Sequence, residues 1–310
     1  LPPYGACLLG SFNTVKYVDN KRFNFDQFIS DIYPVVRGMD NIIDRTNYPL
    51  SEQETEAKNK RRMGLGVTGI ANASEACGYQ YGSEQYLKFQ AKVLKTLRDH
   101  TYRASIELSK EKGSFPLFDR DKYLQGGFIK TLPKDIRDDI YEHGIRNSHL
   151  TSIAPTGTIS LTADNVSSGI EPPFLLEYDR TIQTFDGPRI ERVQDYSVRH
   201  FGIKPLTANE IPADIHVSVL ANAQKYVDSA VSKTCNVGDT VEFDDFKNLY
   251  MDAWIQGCKG ITTFRAAGKR YGILNAVDST KNEEPEDTFD YQSAEACFID
   301  ASTGERSCEI

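Results

Sequence analysis

The six residues Pro155-Thr156-Gly157-Thr158-Ile159-Ser160 hold the densest chemistry in the chain. They follow a short apolar run, His149 to Ala154, that reads as a buried strand. The proline stops the strand, the glycine frees the backbone, and the hydroxyls of Thr156, Thr158 and Ser160 fall where a helix would begin. Such a turn aims several backbone N–H groups at one point. The positive end of the helix dipole adds to them, so an anion such as phosphate is favoured there. It is not a Walker loop, because the Gly-Lys-Ser/Thr ending is absent. A Ser/Thr-capped helix start with no ligand fits the same pattern.

The cysteines are the second resource. Six stand at positions 7, 77, 235, 258, 297 and 308, with no CxxC pair, so a zinc ribbon or a thioredoxin motif is not expected and no metal site is assigned. Their irregular spacing in a long chain points to a reducing, cytoplasmic protein rather than a secreted disulfide scaffold. Cys77, Cys235 and Cys258 read as packed thiols. On residue type alone, Cys7 in the apolar run Ala6 to Phe12 reads as a buried strand residue. Cys297 and Cys308 stand apart, at the end of a polar tail where exposed thiols oxidise.

Composition bounds the partners. With 310 residues, 39% of them hydrophobic, the chain can bury a sizeable core. A net charge of −8 argues against a nucleic-acid surface, which needs clustered Lys and Arg. The one short basic run, Lys58 to Arg62, fits a solvated helix end or an anion patch. No segment approaches the roughly 20 apolar residues that cross a bilayer. No signal peptide is read, and because Leu1 is not a start methionine, trimming, processing or splicing at the front is expected.

The elements that would position these groups follow from periodicity. Helical spacing runs over Phe25 to Asp44, with a kink expected at Pro34, over Gln85 to Lys112 before Gly113, and over Lys134 to His143 before Gly144. His216 to Ser232 and Phe243 to Gln256 also read as helices. Arg62 to Ile70 is a glycine-rich strand-like run leading into helical sequence through Ala76. Leu175 to Asp186 is strand-like, Gly260 to Phe264 a buried strand, and Phe115 to Gly127 a surface loop. Alternating helices and short buried strands indicate an α/β class with a parallel sheet or barrel. From Asn275 an acidic, polar run poor in aliphatics reads as a mobile tether.

Taken together, these segments resemble the large catalytic chain of ribonucleotide reductase, over essentially the whole length. The matching segments are LPPYGACLLGSFN, RRMGLGVTG, GIRNSHLTSIAPTGTIS, ADNVSSGIEPPF, SKTCNV and FKNLYMDAWIQGCKGITTFRAAGKRYGIL, in family order. The details resemble class II, the adenosylcobalamin-dependent enzymes, with their APTGTIS loop and GITTYR-like last strand. Class I chains carry adjacent tyrosines there for radical transfer, whereas this chain has Thr262-Thr263-Phe264-Arg265.

The resemblance implies the C-terminal half of a ten-stranded α/β barrel over residues 1–274, followed by a flexible redox-active tail over 275–310. The family's finger loop, Asn-x-Cys-x-Glu, precedes an LPPYGAC-like segment, so the thiyl-radical cysteine would fall before Leu1. The allosteric specificity region, the first barrel strands and the partner of Cys7 would also lie upstream. The implied activity is radical reduction of ribonucleotides to 2′-deoxyribonucleotides, together with an N-terminal half that holds most of the adenosylcobalamin site. Cys7 matches the family's second reducing cysteine, at the end of a barrel strand. Cys297 and Cys308 match a tail that carries electrons from a thioredoxin- or glutaredoxin-like reductant by thiol–disulfide exchange, with Thr303-Gly304 as a turn that could bring them together. Ala154, Pro155, Thr156, Gly157, Thr158, Ile159 and Ser160 would hold the substrate di- or triphosphate. Glu171 is either a helper near the substrate or a turn residue. Asn147 and His149 flank the loop's strand, and His149 reads as a packed histidine rather than a cobalt ligand or base. Two alternatives stand beside this: a class I fragment fed by a separate radical-generating subunit, and a non-catalytic phosphate-binding remnant.

Overall fold

Parallel strands covered on both faces are buried along their whole length, and the run after Arg62 has that character. Every residue of Gly64–Thr68 is buried. The computed structural model describes residues 2–184, 187–237, 242–265, 275–276, 297–299 and 306–308. Contacts divide the chain into two compact units, Leu1–Ala276 and Val277–Ile310.

In the first unit, β1 (Leu9–Asn13) is followed by a small hairpin of β2 (Val18–Asp19) and β3 (Arg22–Phe23). Then come α1 (Phe25–Arg45), α2 (Ser51–Lys60), β4 (Gly64–Thr68) and α3 (Ile70–Ala76). Next are α4 (Glu84–Lys112), α5 (Arg120–Leu124), α6 (Lys134–His143) and α7 (Gly157–Thr162). A long hairpin joins β5 (Glu177–Thr184) to β6 (Gly187–Gln194). The unit closes with α8 (Ala213–Gln224), β7 (Thr234–Asn236), α9 (Phe243–Ile255), β8 (Thr262–Phe264) and β9 (Asn275–Ala276), which pairs with β5.

Parallel pairing forms one continuous order. β1 pairs with β4 from Leu9↔Gly64 to Asn13↔Thr68. Leu65 bridges Thr151, Ile153 bridges Val231, and β7 pairs with β8, all parallel. Five extended segments thus lie side by side, with helices between them in sequence, which is an α/β arrangement. The segment around Thr151 is tied in by Asp228, whose carboxylate accepts from Leu150 N (2.7 Å), Thr151 N (3.1 Å) and Tyr102 OH (2.9 Å). Phe28, Ile32 and Val36 of α1, Val93, Leu94 and Leu97 of α4, and Leu65 and Val67 of β4 meet in the main core.

Several elements differ from the expectations. α1 continues past Pro34 to Arg45, one residue beyond the expected end at Asp44. The stretch from Phe115 to Gly127 contains α5, and Phe115 is buried against Phe118 and Tyr123. α8 stops at Gln224, because Gln224 Nε2 donates to Val227 O and Ser229 O and turns the chain toward the sheet. His149 to Ala154 contributes parallel bridges rather than a regular strand, and β8 is half-exposed rather than buried. In the second unit, β10 (Cys297–Ile299) pairs antiparallel with β11 (Arg306–Cys308), and Thr303-Gly304 lies outside the described residues.

Candidate functional site

Ligand sites in parallel α/β sheets form beyond the carboxyl ends of the strands, and Pro155–Ser160 follows the segment Thr151–Ile153 at that end. The left-handed residue is Thr156, with φ 51°, whereas Gly157 has no positive φ. A β-branched residue in that region is held by its surroundings. The buried Thr156 hydroxyl supplies the restraint. It accepts from Gly169 N at 2.7 Å and lies 3.0 Å from Thr68 Oγ1. Thr68 Oγ1 in turn donates to Ser167 O at 3.0 Å. The hydroxyl therefore clamps the loop to the end of β4 and does not cap α7.

Ser160 is engaged as well, its Oγ donating to Gly157 O at 3.0 Å beside Ser168 Oγ at 3.1 Å. Of the three hydroxyls, only that of exposed Thr158 has no hydrogen-bond partner among the described residues. The N–H of Ser160 bonds Thr156 O, while those of Gly157, Thr158 and Ile159 have no acceptor among the described residues. The anion-binding capacity of the loop thus resides in its backbone rather than in Thr156 and Ser160 side chains.

Gly157 and Ser160 open onto a cleft of about 610 Å³. Its other walls include Ser167, Glu171, Pro172, Phe174, Asp195, Asn236 and Phe264, and no Lys or Arg among the described residues lines it. Phe174 and Phe264 meet edge to face at 6.3 Å. Asp195 accepts from Asn72 Nδ2 (3.1 Å) and Ser197 N (2.8 Å), and burial pushes its carboxyl above the usual range.

Glu171 is not a plain turn residue. Its Oε2 accepts from Lys233 Nζ at 2.6 Å and its Oε1 from Thr234 N at 2.5 Å. Lys233 is buried and also reaches His216 Nδ1 (2.8 Å) and Thr234 O (2.6 Å). His216 Nε2 faces Ala208 O at 3.0 Å, so the neutral ring donates there and accepts from Lys233. Burial, reinforced by the Lys233 charge, pushes the His216 pKa down to about 4. Lys233 lies in the SKTCNV segment, but its partners Glu171 and His216, 62 and 17 residues away, and the Asn72 that holds Asp195, 123 residues away, are brought to it and to Asp195 only by the fold.

The remaining candidates lie elsewhere. Cys7 is exposed, two residues before β1, in a separate depression of about 100 Å³ lined also by Lys60 and Arg62. In parallel register it sits at the amino ends of the strands, roughly 20 Å along them from the loop. The structure therefore does not bring Cys7 and the loop onto one cavity. Asn147 is a buried hub, donating to Asp40 Oδ1 and Arg61 O at 3.0 Å each. His149 is held beside Ser148 Oγ at 3.1 Å, and burial lowers its pKa. In the basic run, Lys58 and Lys60 pair with Glu54 and Glu56, and Arg61 is buried against Asp40 and Asp44. Burial pushes the thiols of Cys77 and Cys235 up to about 11 and raises that of Cys258, as packed thiols should behave. The register places Cys297 opposite Cys308. No described helix is long and apolar enough to cross a membrane.

Comparison with known proteins adds the family. Residues 2–205 and 206–264 match the ribonucleotide reductase barrel domain. A vitamin B12-dependent ribonucleoside-diphosphate reductase of Mycobacterium tuberculosis (strain CDC 1551 / Oshkosh) is 31% identical over 304 residues, covering 89% of this chain and 42% of the relative. Its namesake in Thermoplasma acidophilum is 32% identical, covering 92% of this chain and 39% of the relative. The ribonucleoside-diphosphate reductase subunit alpha of Chlamydia pneumoniae is 26% identical, covering 82% and 29%. The chain spans about two fifths of the length of the B12-dependent relatives.

Proposed function

The chain belongs to the ribonucleotide reductase barrel-domain family, and from that premise we propose that it is part of an adenosylcobalamin-dependent ribonucleoside-diphosphate reductase. The observation that carries the reading is the loop Ala154–Ser160. It presents N–H groups at Gly157, Thr158 and Ile159 that have no acceptor among the described residues, at the carboxyl ends of parallel strands, beside a cleft of about 610 Å³. That volume suits a nucleotide-sized ligand. With no described Lys or Arg on the cleft walls, the backbone N–H groups at its rim are the seat for the phosphates, and the cleft itself takes the uncharged part.

The five parallel segments are read as one half of a ten-stranded barrel, with an N-terminal half as the partner that completes it. In this reading a ribose 2′-hydroxyl leaves as water, hydrogen replaces it, and two thiols become one disulfide. Cys7 supplies one thiol, and its partner comes with the N-terminal half. Cys7 lies at the opposite strand ends from the loop, roughly 20 Å along them, so the described residues alone do not bring its thiol to a sugar whose phosphates sit on the loop.

Adenosylcobalamin would supply the radical. The described residues do not fit it by themselves. His216 has both ring nitrogens engaged, His149 has its Nδ1 beside Ser148 Oγ, and no group of three or more His, Cys, Asp or Glu that could hold a metal occurs among the described residues. Its site is assigned to the N-terminal half, and this chain contributes the phosphate loop, the cleft and the thiol of Cys7.

The tail reading is supported by register. Directly opposed residues of antiparallel strands lie about 4.5–5.5 Å apart at Cα, inside the range that a disulfide spans. Cys297 and Cys308 are so opposed. They would relay electrons from a thioredoxin- or glutaredoxin-like protein.

The test of the reading is calorimetric titration of the chain with cytidine diphosphate and with cytidine. Charge-assisted bonds to the diphosphate should make it bind at least about tenfold more tightly. Equal affinities would remove the loop as the phosphate site.

A further inference from the structure

A helix that is apolar on nearly every side belongs in an interior, yet α9 carries that pattern at the surface. Leu249 and Ala253 on its inner side pack against Val217 and Cys235. Phe243, Tyr250 and Trp254 recur at i, i+7 and i+11 on the outer side, with Met251 and Ile255 one position on from the last two. All five are exposed, Trp254 by 72%. Polar side chains keep only the strip of Asp244, Asn248 and Asp252. The long helix α4 shows what an outer face of this chain otherwise looks like, since every exposed position along it is Glu, Gln or Lys. A contiguous apolar patch on an otherwise polar surface marks an interaction site.

The place of the patch identifies its occupant. α9 leads into β8, the last of the five parallel segments, whose one strand neighbour among the described residues is β7. Tyr250 OH lies 2.9 Å from Thr263 Oγ1, so the apolar face adjoins that sheet edge. A strand added beyond β8 in an α/β arrangement brings its own covering helix alongside α9, at the usual helix spacing of about 8–10 Å. This chain covers 42% and 39% of its B12-dependent relatives, so most of each relative lies outside the matched part. An unextended sheet edge beside an uncovered apolar helix face is what a barrel divided between its halves leaves on one of them. Resting on the half-barrel reading above, we infer that the outer face of α9 is the docking surface for the N-terminal half of the reductase. Its occupant is an apolar helix face of that half, and Trp254 and Tyr250 are the anchors, because large aromatics buried at the centre of an interface carry most of its energy.

Trp254 is the one tryptophan of the chain, which makes it a direct probe. The 310-residue chain labelled with 5-fluorotryptophan gives a single fluorine resonance. It is titrated with the unlabelled N-terminal half of the same reductase, while sedimentation velocity reads complex formation. The resonance should shift in step with the complex. Tyr250→Ser/Met251→Ser removes apolar surface without touching the probe and should weaken association at least about 30-fold, the effect of losing a central contact. Trp254→Ser, followed by sedimentation alone, should do the same, and both variants should melt as the wild type does because the altered side chains are exposed. Asp252→Ser, on the polar strip, should leave association unchanged. A complex that forms with the resonance unmoved, or that both apolar variants form with full affinity, would remove α9 as the dock and leave the half-barrel reading standing. A resonance that moves with the concentration of this chain alone would make a second copy the occupant and overturn the inference. Failure of the wild type to form any complex with the N-terminal half would remove the half-barrel reading itself, and this inference with it.

Discussion

Thr156 commits its hydroxyl to the interior, and that changes what a substitution there measures. The oxygen serves Gly169 N and Thr68 Oγ1, while the backbone sits at φ 51°. Thr156→Ala removes the closer of the two hydroxyl acceptors of Gly169 N–H, leaving Thr68 Oγ1 at 3.3 Å, and should lower stability by about 1 kcal/mol in urea melts. Thr156→Gly loses the same bond but relieves the left-handed backbone, so it should be less destabilising than alanine by about 1–2 kcal/mol. The reverse order would mean that the left-handed backbone carries no strain for glycine to relieve. Thr158→Ala should leave stability unchanged and weaken nucleotide binding. His216 makes a pH prediction. Its folded pKa, about 4, lies below the ordinary value of 6.5, so the unfolded chain binds more protons between those values. Its share of stability is complete above about pH 6.5 and is lost as pH falls toward 4, up to about 3 kcal/mol. Melting temperatures measured across that window should fall, and His216→Gln should flatten the slope.

At the scale of elements, the approach of β4 to the Thr151 segment is closer than any side chain allows. A Cβ on Gly66 would stand 2.1 Å from the Ser152 carbonyl oxygen. Backbone cannot swing aside as a flexible side chain can, so Gly66→Ala should cost at least about 1–3 kcal/mol and part the sheet at that bridge. Gly157→Ala is the contrast, because nothing lies within 4 Å of its added Cβ. It should melt like wild type, and any loss in nucleotide affinity would report the ligand side of the loop alone. A large fall in melting temperature for Gly157→Ala would contradict the open space around that position. Helices α1, α4 and α6 depend on their apolar faces and should tolerate exposed substitutions within about 0.5 kcal/mol.

Across the whole molecule, the candidate residues divide between the two units. The first holds the loop, the cleft and Cys7, and the second pairs Cys297 with Cys308. Mild oxidation followed by non-reducing proteolysis and mass spectrometry should recover a Cys297–Cys308 crosslink before any involving the buried Cys235. In an assay of the reassembled enzyme, Cys297→Ser or Cys308→Ser should abolish turnover with a protein reductant and spare it with a small dithiol. Cys7→Ser should abolish both. Equal failure of the tail variants with both reductants would remove the tail from the electron path.

Much of this was legible in the chain itself. Periodicity and caps delimit α1, α4 and α6 because those helices are set by local spacing, with Asn24 and Ser83 accepting from the first-turn N–H groups of α1 and α4. The Pro-Thr-Gly-Thr run marks a strand-to-helix turn because its residues act through their own backbone. The tertiary structure decided what depends on distant partners. Whether Thr156 faces a ligand or the interior is settled by Thr68 and Gly169. That Glu171, whose N–H closes a turn to Ser168 O, is also half of an ion pair depends on Lys233, 62 residues away. The extent of burial of β8 and the aromatic contacts of Phe115 were hidden for the same reason. Periodicity reports which residues can be covered, and only packing decides what covers them.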